Sequence, residues 1–97
     1  MEKLALLVRL QARPGKEKEL SDLLEAAVEL ARAEADTQRW YALQFAPGTF
    51  GIFDTFAQEA GRLAHLEGPI ARLLMQKADE LLAVPPTIEK MTLLAIK

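Results

Sequence analysis

Cysteine and asparagine are absent from these 97 residues, and histidine and serine occur once each. Without cysteine there is no disulfide framework, no thiolate nucleophile and no thiolate metal site. A single histidine leaves a metal only carboxylates, most of them on charged helix faces, so no metal site is expected. The one serine, Ser21, lies on the polar side of a helical stretch with no nucleophile elbow around it, which argues against a serine triad. The glycines form no phosphate cradle, because "GTFG" lacks the following helix and the lysine. No nucleotide cofactor is expected either. Charge is nearly balanced, with 12 basic and 14 acidic residues. The basic residues are scattered from Lys3 to Lys97, so nothing resembles a nucleic-acid stripe. No apolar run approaches the roughly 20 residues of a membrane span. "MEKLALLVRL" is too short and too alternating for a signal peptide, and a cytoplasmic location is expected.

What the chain has in excess is apolar surface. Hydrophobic residues make up 51% of it, while a body this small buries only about two-thirds of its unfolded surface by itself. A subunit interface is the natural place for the remainder.

The pattern reads as one domain over residues 1–97. Residues 3–12 alternate, with Leu4, Leu6, Val8 and Leu10 on one face and Ala5, Leu7, Arg9 and Gln11 on the other. Both faces are largely apolar, which predicts a central strand covered on both sides. Pro14-Gly15 is a turn signal. Leu20, Leu23, Leu24, Ala27, Leu30 and Ala31 then recur at helical spacing, and this helix is expected to end near Ala35-Asp36. "QRWYALQF" and "FGIFDTF" read as two strands joined by "APGT". A helix over 57–67 follows, stopped by Gly68-Pro69, and a second runs from Pro69 to about Ala83. "TIEKMTLLAIK" reads as a closing strand, with Ile88, Leu94 and Ile96 on one face and Met91, Leu93 and Ala95 on the other. The order β-α-β-β-α-α-β, with the last two helices as one interrupted element, is an α+β ferredoxin-like split βαβ pattern. It predicts a four-stranded antiparallel sheet with helices on one face. The uncovered face is apolar as well, and two such sheets packed face to face would make a homodimer.

All six aromatic residues lie on the hairpin, and such clusters are core more often than pocket. Alternation puts Phe50 and Phe56 with Ile52 and Asp54, and turns Phe53 the other way. His65 stands in the last turn of the first of the two later helices, where the helix dipole favours its cation. That helix has two possible inward faces. Ala60, Leu63 and Ala64 would turn His65 outward; Gly61, Arg62, His65 and Leu66 would turn it inward with a cation beside it.

"VRLQARPGKEKELSDLL", "FGIFDTFAQEAGRLAHL" followed by "GP", and "PPTIEKMTLLAIK" together resemble the antibiotic biosynthesis monooxygenase family. These are small dimeric α/β-barrel proteins that include proposed quinol monooxygenases. The resemblance covers nearly the whole chain and implies a cofactor-independent monooxygenase that oxidises a quinol or polycyclic phenol with O2. It favours the inward His65, since family members turn this histidine toward a cavity between helices and sheet. Arg62 then points near the cavity, where relatives often carry an apolar residue. Phe56 stands where many members have tryptophan, and Ile70 where many have a second histidine. Haem-degrading members use a tryptophan, an asparagine and a histidine; with Phe56 at the tryptophan position and no asparagine, haem degradation is disfavoured.

Such chemistry needs the rings held, water excluded and a base near the phenolic proton. His65 is the expected base, provided burial offsets the helix dipole. Asp54 is a second possible base. Tyr41 and Arg62 are expected to stabilise a developing oxyanion. Trp40, Phe53 and Phe56 would sandwich the substrate, with Ile70 lining the site. Neighbours on a strand face opposite ways, so of Trp40 and Tyr41 only one faces the cavity, and Trp40 is the expected one. The rival reading is a non-catalytic binding or stress-response protein holding an apolar aromatic metabolite in the same cavity. An isomerase-like activity on a sugar-derived signal, known for a few relatives, fits a dry aromatic pocket poorly.

Overall fold

A computed structural model describes residues 1–97. Strand β1 (Leu4–Gln11) leads into helix α1 (Glu17–Arg32), hairpin strands β2 (Thr37–Ala46) and β3 (Thr49–Phe56), helices α2 (Glu59–Leu66) and α3 (Pro69–Leu81), and strand β4 (Thr87–Thr92). The sheet is four-stranded and antiparallel in the order β2-β3-β1-β4. This is the α+β ferredoxin-like arrangement. No helix is long and apolar enough to cross a membrane.

Local chemistry explains most of the boundaries. At Pro14-Gly15 the proline presets φ and Gly15 takes a positive φ of 87°, as a type II turn requires. Lys16 N–H closes the turn on Arg13 O at 2.9 Å. Glu17 and Glu19 open α1 and Arg32 ends it, matching the helix dipole. The helix stops at Arg32, short of Ala35-Asp36. Helix α2 begins at Glu59 rather than 57, because Gln58 is extended. Helix α3 ends at Leu81 because Leu82 turns extended and bridges Ala12.

One face of the sheet carries the core. Val8 and Leu10 of β1 and Phe50 and Ile52 of β3 pack with Leu20 and Leu24 of α1 and Ile70 and Leu74 of α3. Each fully buried Leu, Ile or Phe contributes roughly 1.5–3 kcal/mol of transfer free energy.

Two expectations need correction. Strand β1 is central, between β3 and β4, but its second face is covered only in part within the chain: Ala5 is buried, Leu7 half-buried, and Arg9 and Gln11 exposed. The closing strand stops at Thr92 instead of running to Lys97. Leu4, the first residue of β1, pairs with Thr92, and beyond one further bond from Leu93 N–H to Lys3 O the neighbouring strand has run out.

Candidate functional site

Helix α2 buries Gly61, Arg62 and His65 and leaves Leu63 half exposed, so the face with His65 turns inward. Gly61 is what lets this face sit so deep. A Cβ there would lie 2.9 Å from Asp36 Cβ and 3.2 Å from Asp36 O, so only glycine admits this close packing against the α1–β2 connection. That connection carries Glu34.

His65 is held between two carboxylates. Its Nδ1 is 2.6 Å from Glu34 Oε1, and its Nε2 is 2.7 Å from Asp54 Oδ2. Asp54 is wholly buried, His65 7% exposed and the Glu34 side chain 15% exposed. Glu34 Oε1 is fixed further by the Thr37 hydroxyl, which donates to it at 2.7 Å. The Asp54 contact is less well aligned: neither Asp54 oxygen has hydrogen-bond geometry with any donor, so it is an ion-pair contact. Phe56 packs beside the imidazole, ring centroids 5.4 Å apart.

Burial opposes a charge on His65, but Asp54 and then Glu34 outweigh it, and its pKa is raised above the ordinary 6.5. Asp54 is also raised above its usual 3.8, first by burial, with His65 pulling the other way. Each ring nitrogen thus faces a carboxylate oxygen, and the raised pKa of His65 favours an imidazolium flanked by two acids. A neutral His65 base is disfavoured here, because the carboxylates outweigh desolvation and hold its pKa up. The two carboxylates contact different ring nitrogens, and no group of three or more His, Cys, Asp or Glu side chains is arranged to hold a metal ion.

An apolar cleft of about 140 Å3 opens beside His65, between the sheet and helix α3. Val8, Ile52, Ile70, Ala71 and Met75 line it with the imidazole.

The other expected site residues divide between the two faces of the sheet. Trp40 pairs in register with Asp54 on the helix face, half-buried, with its indole N–H buried and unpartnered. Tyr41 and Phe53 pair with each other one position along and therefore lie on the open face, ring centroids 6.3 Å apart. They cannot join Trp40 and Phe56, because the pleat separates them, and neither Trp40 nor Phe56 lines the cleft beside His65. Arg62 does turn inward, but its guanidinium is already engaged. Nη1 donates to Ala5 O at 3.3 Å and Met91 O at 3.2 Å, and Nη2 donates to Glu59. It clamps α2 to the sheet through both Nη atoms, and only its buried Nε is left without a partner. Glu34 was not singled out from the sequence. The signal available was its place just past the C-terminus of α1, where the dipole disfavours an acid that has no partner.

No family model matches the sequence, and no curated protein does. Among solved structures, a protein of unknown function from Nitrosomonas europaea is 59% identical, with a TM-score of 0.98, over 100% of this chain and 94% of that one. A proposed antibiotic biosynthesis monooxygenase from the same organism superposes with a TM-score of 0.83 at 17% identity, over 95% of this chain and 90% of that one. Another, from Chloroflexus aurantiacus, gives 0.75 at 18% identity, over 98% and 96%. The chain thus belongs to one family with the Nitrosomonas protein of unknown function, and its fold is that of the antibiotic biosynthesis monooxygenases.

Proposed function

We propose that the cleft takes a neutral, single-ring quinol or phenol and that the chain oxidises it with O2 without a resident cofactor. The observation that carries this reading is a buried imidazole held between two carboxylates, Asp54 wholly buried and Glu34 partly so, beside an apolar cleft. Size selects the ring: a cavity of about 150 Å3 accommodates benzene, and this cleft is about 140 Å3. A polycyclic phenol would leave most of its surface outside. Charge selects the neutral form. Two carboxylates and one imidazolium sum to a negative site, which repels an anionic substrate.

Asp54 is wholly buried and does not line the cleft, so a substrate oxygen reaches it only by entering the poorly aligned His65–Asp54 contact. With that oxygen at His65 Nε2, the phenolic proton passes to Asp54, whose burial makes it a stronger base than an ordinary carboxylate. The imidazolium N–H then stabilises the phenolate. The phenolate gives one electron to O2, and the resulting radical pair joins at a ring carbon. The peroxide so formed takes the proton back from Asp54. Loss of water, using the hydrogen of that ring carbon, leaves a carbonyl. One quinol and one O2 give one hydroxyquinone and one water.

The second reading is a non-catalytic module that binds a neutral aromatic metabolite in the same cleft. The engagement of both His65 nitrogens by carboxylates favours it. Oxygen uptake with a panel of hydroquinones, chelator-treated, decides between the two. Uptake above autoxidation, with hydroxyquinone formed mole for mole with O2 consumed and lost in Asp54→Asn, supports the monooxygenase. Saturable binding of the same quinols with no uptake overturns it in favour of the module.

A further inference from the structure

The Glu34 carboxylate lies on the far side of His65 from Asp54 and comes from a different part of the chain, the connection between α1 and β2. It makes the better-aligned of the two histidine contacts, at 2.6 Å, and Thr37 fixes the same oxygen. Its second oxygen, Oε2, is buried without a hydrogen-bond partner. A surface acid with no task does not leave an oxygen dry and unpartnered, since desolvating it costs about 1–3 kcal/mol or more.

We propose that Glu34 is the positioning residue of this site: it binds the Nδ1 proton, fixes the ring orientation that presents Nε2 to Asp54, and holds His65 in its charged form. The proposal deepens the quinol reading and rests on it only for the kinetic consequence. Its logic is that of a carboxylate bound to the remote nitrogen of a functional histidine, which sets both tautomer and basicity. The groups facing His65 are few. Strand β3 contributes Asp54, the α1–β2 connection contributes Glu34, and its own helix contributes Arg62, whose charge Glu59 matches. The cleft beside it is lined by Val8, Ile52 and Ile70, none of which titrates. Removing the Glu34 charge therefore leaves Asp54 as the sole acid in contact with the ring.

The test uses the fact that His65 is the only histidine, so its imidazole NMR signals need no assignment. The titration midpoint is followed in the intact protein, in Glu34→Gln and in Thr37→Val. Glu34→Gln keeps the shape and an acceptor for Nδ1 but loses the charge, and its midpoint is expected to fall. Thr37→Val keeps the charge, and its midpoint is expected to stay above 6.5. In quinol oxidation, the alkaline limb of the pH profile should move to lower pH in Glu34→Gln, because the imidazolium is lost sooner. An unchanged midpoint in folded Glu34→Gln overturns the proposal. A lowered midpoint supports it even if no quinol is oxidised, so its failure and that of the quinol reading are separate results.

Discussion

His65 on α2 and Glu34 after α1 meet at 2.6 Å although they are 31 positions apart in the chain. On its other side the same ring touches Asp54, a residue of the central sheet. Three elements are thus tied together through one side chain, and the energetics of that tie can be measured.

His65→Ala leaves buried Asp54 and partly buried Glu34 facing an empty space. Breaking a buried ion pair by removing one partner costs about 3–5 kcal/mol. We expect a loss at the lower end, about 3 kcal/mol, because Glu34 retains the Thr37 hydroxyl. Urea denaturation of the variant and the parent protein measures it, and a loss below about 1 kcal/mol would show that the contact contributes little.

Stability should fall as pH rises past neutrality. A group whose folded pKa is raised contributes stability that is complete below its unfolded value and disappears as pH climbs through the folded value. For His65 that window begins at 6.5 and extends upward. Asp54, also raised, acts in the same direction from 3.8 upward, because the folded protein holds that proton longer. Denaturation midpoints at about pH 6 and pH 8 should differ, with the lower pH more stable. In His65→Ala the histidine's share of the difference is lost, and what remains reports Asp54, whose carboxyl is raised further once the imidazole is gone.

The open face of the sheet predicts the assembly. Tyr41 and Phe45 are each 45% exposed there, Phe53 lies beside Tyr41, and Arg9 sits 4.5 Å over the Phe45 ring. We expect a homodimer through this face, with light scattering giving twice the mass of one chain at roughly 10 μM, a concentration well above the dissociation constant of a standard-sized interface. Phe53→Lys should yield monomers that keep the helix-side core. A parent protein that runs as a monomer would remove the basis for the interface.

Gly51 on β3 is a steric necessity. A Cβ there would lie 2.7 Å from the Phe45 ring and 2.7 Å from Val8 O, and the second atom is backbone that cannot swing aside. Overpacking of this kind costs typically 1–3 kcal/mol. Gly51→Ala should lose stability in that range, with Phe45 fluorescence-silent but displaced in NMR spectra. An unchanged denaturation midpoint would mean that the strand shifts freely.

Cleft and histidine can be separated by Ala71→Phe. Ala71 lines the cleft on a partly exposed position of α3, so a larger side chain fills the space without entering the core. Quinol affinity should fall at least about tenfold, with stability changed by less than about 1.5 kcal/mol. Retained affinity would place the ligand elsewhere.

The sequence by itself determined the elements and their order, because these depend on short-range periodicity. Alternation in "KLALLVRL" and "FGIFDTF" sorts side chains to two faces whatever surrounds them. Apolar spacing from Leu20 to Ala31, and the Gly68-Pro69 stop, act within a few turns. The same alternation kept Trp40 and Tyr41 apart, and could equally have removed Phe53 from the cavity side, since it stands opposite Asp54 in phase. Tertiary structure alone decided the rest. The roughly two turns of α2 carry two plausible inward faces, and the choice fell to Gly61 because only a residue without a Cβ tolerates Asp36 so close. The charge state of His65 was likewise out of reach, since it depends on Glu34 and Asp54, which no local pattern brings together. Electrostatic partners are set by where distant segments end up in space, and a buried charge responds to those partners more strongly than to its neighbours along the chain.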